Sequence, residues 1–148
     1  EQDLDGIILA YAGVTRLNLA DRISEMISTQ SILPAVGQGA IAIEVREDDE
    51  RIKEILELID DRPSHMAIQA ERAFLRQLEG GCQVPIAALA EIKNGLLQLE
   101  GLVASMDGRE VIRETLSGPG DQAEEIGRNL AQELLNRGAR IILEQIRV

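Results

Sequence analysis

Asn94-Gly95 separates "VPIAALAEIK" from "LLQLEGLVAS", and this dipeptide between two alternating apolar runs is the strongest short-range signal for a β-hairpin. A second turn signal, Asp107-Gly108, leads into "REVIRETL", which reads as a third strand. The strands are flanked by helical patterns. Ser64 is a suitable N-cap for a helix to about Glu79 with Ala67, Ala70, Phe74 and Leu78 on one side, closed by Gly80 and Gly81. Gly118-Pro119-Gly120 breaks the strand pattern. Asp121 then opens a helix with Ile126, Leu130, Leu134 and Leu135 inward, which Gly138 closes before a last short helix, "ARIILEQI". Helix, three strands, helices predicts an α+β domain over residues 62–148: a three-stranded antiparallel sheet with helices on one face.

The residues ahead of it read differently. Gly6 to Ala12 is a continuous apolar run of the kind expected of a strand buried on both faces of a parallel sheet, and "AIAIEV", Ala40 to Val45, alternates like a half-buried strand. "ADRISEMI" is helix-like, and Asp48 to Asp60 places Ile52, Ile55, Leu56 and Ile59 at helical spacing. Ser31 to Gly39, with one proline and two glycines, reads as a crossover or hinge. Two strands are too few for a stable open sheet. These residues are therefore expected to be the back part of a longer polypeptide, entering midway through a domain.

A net charge of −11 with one Tyr and one Phe argues against nonspecific nucleic-acid binding, which needs clustered cations and often stacking aromatics. No apolar run is long enough to span a membrane. One cysteine forbids an intramolecular disulfide, so the chain carries no mark of an oxidising compartment, and a cytoplasmic setting is expected.

"GQGAIA", Gly37 to Ala42, matches a dinucleotide fingerprint in form. That fingerprint works only between a strand and a helix whose N-terminus meets the pyrophosphate. Here a strand pattern follows, so the glycines are read as letting the backbone bend or approach a ligand. His65, the single histidine, has no partner residues at zinc-like spacing and is expected at the surface. Cys82 lies in "LEGGCQVPI". A lone cysteine is most often a buried, inert residue, but this one follows two glycines in a loop. Its place after a helix C-terminus disfavours the thiolate. An accessible, weakly activated thiol suits permanent attachment to a strong electrophile better than repeated nucleophilic catalysis.

"DGIILAYAGVTRL", "PAVGQGAIAIEVR" and "AERAFLRQLEGGCQVPI" closely resemble stretches of the porphobilinogen deaminase (hydroxymethylbilane synthase) family, in the same order. The resemblance implies a transferase of tetrapyrrole (heme) biosynthesis that condenses four porphobilinogens, with loss of ammonia, into linear hydroxymethylbilane. It implies that Cys82 carries a dipyrromethane cofactor through a thioether, formed with the electrophilic azafulvene of deaminated substrate. It implies that Gly81 and Gly80 let the cofactor loop shift, and that Arg16 and Gln38, with Gly39 beside it, lie at the cofactor or cleft. Arg46 and Arg72 correspond to family arginines near the domain interface, where a guanidinium suits the carboxylates of the growing oligopyrrole. The family's catalytic aspartate belongs to the N-terminal half, so no catalytic residue and no metal site is expected here.

By the family pattern, residues 1–36 end domain 2, residues 37–61 are the return segment of domain 1, and residues 62–148 are domain 3. The first two are partial α/β segments like those of periplasmic binding proteins. The expected partners are porphobilinogen, the growing oligopyrrole and the missing N-terminal half, with no nucleic acid and no membrane. The parent protein is expected to be an active monomer and this chain alone inactive, with residues 1 to about 60 disordered or paired with another copy. Two rival readings are a noncatalytic interaction or ligand-binding module, in which Cys82 is incidental, and a thiol enzyme using Cys82 with His65, which the helix-end argument disfavours.

Overall fold

The computed structural model describes residues 4–78 and 84–146. Its sheet is three-stranded in the order β1-β2-β3, with β1 at Ile86–Lys93, β2 at Leu96–Ala104 and β3 at Val111–Gly118, both pairs antiparallel. Asn94 (φ 53°) and Gly95 (φ 80°) make the β1–β2 turn, both left-handed as a type I′ hairpin requires. β3 starts two residues later than its sequence pattern, because Arg109 and Glu110 are spent on the turn: their backbone N–H groups donate to Asp107 and to the Ser105 hydroxyl.

Four helical segments precede or cover the sheet: α1 at Tyr11–Arg16, α2 at Glu50–Glu57, α3 at Arg62–Gln77 and α4 at Ala123–Leu134. A kink at Gly138 (φ 111°) leads to α5, Arg140–Ile146. Phe74 and Leu78 of α3, Leu130 and Leu134 of α4, and Leu97, Leu99 and Val103 of β2 are buried together in one core. Each such side chain contributes about 1.5–3 kcal/mol by leaving water. The cap of α3 is Asp61, not Ser64: the Asp61 carboxylate accepts from the Ser64 N–H at 3.0 Å. Pro63 explains the shift, since a proline is accommodated in the first helical turn, where its missing N–H is not needed.

The chain divides into two compact units, Glu1–Ile32 and Leu33–Val148. In the first, α1 begins at Tyr11, inside the apolar run expected to be a strand, and Gly6 to Ala10 belong to no strand. "ADRISEMI" contributes only a single turn of 3₁₀-helix, Ala20–Arg22. In the second unit Ala40 to Val45 also forms no strand, and Ile41 is 92% exposed. Both strand expectations fail for one reason: a strand exists through its neighbour's backbone, and among the described residues neither stretch has one. The helix expected over Asp48 to Asp60 is present as α2, capped by Asp49.

Candidate functional site

The second unit brings one unanticipated residue to the junction of three chain segments. Glu71 lies four residues after Ala67 and three before Phe74, so α3 points it into the apolar face. It is 4% exposed, the one buried charged side chain among the described residues. Its two oxygens are used separately. Oε2 accepts the Gly37 N–H at 2.7 Å and Oε1 accepts the Ala90 N–H at 2.8 Å. Beside them, the Ala88 N–H donates to the Pro34 carbonyl at 3.2 Å. The segment Pro34–Gly37 thus covers the outer edge of β1, while Leu33 is buried and Val36 packs on the core. Burial raises the Glu71 pKa above its ordinary value, and the hydrogen bonds from Gly37 and Ala90 oppose that rise.

Gly37 (φ 75°) and Gly39 (φ 87°) both lie in the left-handed region, where a side chain would be strained. They flank Gln38, which is exposed and whose N–H donates to Ala35 at 3.0 Å. No helix starts at the "GQGAIA" stretch, the next being α2 at Glu50, so it lacks the helix N-terminus that a dinucleotide site needs. Sequence reasoning on this stretch passed over the residue that holds it. The usable signal was an acid in line with Ala67, Phe74 and Leu78, because a carboxylate inside an apolar stripe must find donors.

The other expected site residues belong to different elements. Arg16 ends α1 in the first unit and is exposed. Arg46 pairs with Asp49 at 3.1 Å and is 82% exposed. Arg72 follows Glu71 on α3 and faces solvent, with no ion pair to any described residue. His65 is exposed, its Nδ1 3.1 Å from Asp60, which agrees with a surface role. Gly80, Gly81 and Cys82 lie outside the described residues; α3 ends at Gln77 with Leu78 as its buried C-cap, directly ahead of them. Among the described residues no group of three His, Cys, Asp or Glu side chains is placed to hold a metal ion, and no helix is long and apolar enough to cross a membrane.

Two family models match the chain. Residues 1–54 match the porphobilinogen deaminase dipyromethane cofactor binding domain, and residues 65–136 match the porphobilinogen deaminase C-terminal domain. Among curated proteins, the chain is 55% identical over 147 residues to the porphobilinogen deaminase of Carboxydothermus hydrogenoformans, covering 99% of this chain and 47% of that protein. It is 50% identical over 144 residues to that of Desulforudis audaxviator, covering 97% and 47%. With that of Pelotomaculum thermopropionicum the identity is 49% over 147 residues, covering 99% and 47%. The chain spans about half the length of these relatives.

Proposed function

The chain belongs to the porphobilinogen deaminase family, and from that premise we propose that it forms the cofactor-bearing part of a cytoplasmic transferase of tetrapyrrole biosynthesis. The reaction joins four porphobilinogens into hydroxymethylbilane. The observation that carries this reading is the succession of two matches on one chain, the first to a domain described as dipyromethane cofactor binding. In this reading residues 1–36 and 37–61 are partial α/β segments of the periplasmic-binding-protein type and residues 62–148 are the third domain. In the same reading the apolar stretches at Gly6 to Ala10 and Ala40 to Val45 find their missing strand neighbours in the remainder of the protein, a reading that the exposure of Ile7, Ile8 and Ile41 supports.

Cys82 would hold the dipyrromethane through a thioether, with Gly81 beside it in sequence as a further cofactor residue. The cofactor, when bound, supplies the primer to which substrate units are joined. The donor chemistry fits a ligand rich in carboxylates: Arg16 and Arg72 are exposed and carry no ion pair to a described residue, so a bidentate guanidinium is available at each. Arg46 is available as well, because an exposed pair such as Arg46–Asp49 contributes only about 0–1 kcal/mol. Gln38, held out by the turn, offers amide donors and an acceptor. No acid of this chain is assigned as the catalytic group. The resemblance puts the family's catalytic aspartate in the other half of the protein, so in this reading catalysis needs that half and the chain alone is inactive.

Co-production with the complementary N-terminal half of a relative, followed by an assay of porphobilinogen consumption and intact mass, tests this. Activity is expected, with a dipyrromethane-sized addition that Cys82→Ser abolishes together with turnover. A fully active, cofactor-free Cys82→Ala complex would overturn the attachment role.

A further inference from the structure

A buried carboxylate is costly without a counter-charge, and Glu71 makes no ion pair with a described residue. A leucine or glutamine at this place on α3 would fill the same space. What a carboxylate has, and those side chains lack, is a pair of equivalent acceptors that can each take one N–H. Glu71 uses both, and the two donors come from separate segments: Gly37, in the glycine turn, and Ala90, on the edge strand β1. The fold has no other need to join these. β1 is already paired to β2 along its whole length, and the turn is already anchored by Leu33 and Val36.

We propose that Glu71 is a positioning residue: it locks the Pro34–Gly39 turn to the edge of β1 and to α3, and so fixes the backbone that carries Gln38 relative to the helix that precedes Cys82 in sequence. The proposal rests on the reading of Gln38 and Cys82 as cofactor residues. The physical sequence is short. With Oε2 on Gly37, the left-handed turn at Gly37 and Gly39 has one orientation on the sheet edge. Without that bond the segment keeps its apolar anchors and the Ala88–Pro34 hydrogen bond at its start, but Gly37 itself is no longer tied to α3, and the glycine turn beyond Pro34 loses its directional restraint.

Backbone amide exchange by NMR on the full chain tests the lock without any cofactor. Glu71→Gln retains one carbonyl oxygen and presents an NH₂ to the second donor, so one of the two amides must lose its acceptor. Ala90 is buried and Gly37 only partly so, and an unsatisfied N–H costs more where water cannot reach it, so the retained carbonyl oxygen stays with Ala90 and the amide released is that of Gly37. Its exchange is expected to quicken roughly tenfold or more, while Leu99 and Leu130 in the core exchange as before. Unchanged Gly37 exchange would overturn the proposal. Should the variant fail to fold, the wild-type chain suffices: the Gly37 and Ala90 amide protons must shift with pH along one common titration, and separate titrations would overturn the lock. In the reassembled two-half enzyme, Glu71→Gln is expected to keep the cofactor mass while raising the KM for porphobilinogen at least several-fold. Unaltered KM and kcat with a released Gly37 would refute positioning. A wild-type complex without the cofactor mass would instead refute the functional reading and leave the lock standing.

Discussion

The ring of Phe74 occupies the place a side chain on Gly101 would need: a Cβ built there lies 2.6 Å from Cζ and 2.8 Å from Cε2. The one phenylalanine of the chain is thus fitted against bare backbone in the middle of β2. Gly101→Ala is expected to push the ring off its rotamer and cost about 1–3 kcal/mol, and Phe74→Ala about 3–5 kcal/mol. The double variant Phe74→Ala/Gly101→Ala should be less damaged than the two singles added together, because the smaller side chain vacates the contested space. Urea denaturation of the four proteins measures this, and strict additivity would contradict the contact.

Where α3 crosses α4, Gly127 has no room for even a methyl group. A Cβ would lie 2.3 Å from the Ala70 carbonyl oxygen and 2.9 Å from the Phe74 nitrogen, and backbone atoms cannot swing aside as a side chain can. At an exposed helical position Gly→Ala stabilises by about 1 kcal/mol. Gly127→Ala is expected to do the reverse, with a loss of about 1–3 kcal/mol as the helices are forced apart. A raised thermal midpoint for this variant would show that the two helices do not meet so closely.

The hairpin was legible in the sequence because Asn94-Gly95 is a local instruction: two residues with positive φ need no distant partner to form their turn. The same holds for α3 and α4, whose inward residues Ala70, Phe74, Leu130 and Leu134 are buried as their spacing implies. Gly6 to Ala10 and Ala40 to Val45 failed as strands since pairing is non-local and apolar patterning cannot supply the second backbone. The candidate site was half legible. Glycines 37 and 39 announced a bend, but what holds the bend is Glu71, some thirty residues on in sequence, and only the fold brings the two together.

Asp61, as the cap of α3, makes a prediction that separates it from Ser64. The Ser64 hydroxyl and then its N–H hold the Asp61 carboxyl below its ordinary pKa. Asp61→Ala removes both bonds and leaves an N–H at the helix start without a side-chain acceptor, whereas Ser64→Ala removes only the hydroxyl. The thermal midpoint is expected to fall for both, and further for Asp61→Ala. A lowered pKa means the stabilisation is present above the unfolded value of 3.8 and is lost as pH falls through the lower folded value. Equal midpoints for the two variants at neutral pH would return the cap to Ser64.

Glu71 has the opposite sign, in a different window. Burial raises its folded pKa above the ordinary 4.5, so in the interval between the two values the folded chain binds more protons than the unfolded chain. Stability contributed by this group therefore falls as pH rises through that interval, and is constant above and below it. Glu71→Gln cannot titrate, and the carboxylates of Asp61 and Asp107, both lowered, are common to the two proteins and cancel in the comparison. The stability of wild type relative to Glu71→Gln is thus expected to be least at neutral pH and to grow as the solution is acidified toward pH 4.5. Urea midpoints of both proteins between pH 4 and pH 8 measure the difference directly. A flat difference, or one that shrinks on acidification, would mean that the carboxylate is not buried between Gly37 and Ala90.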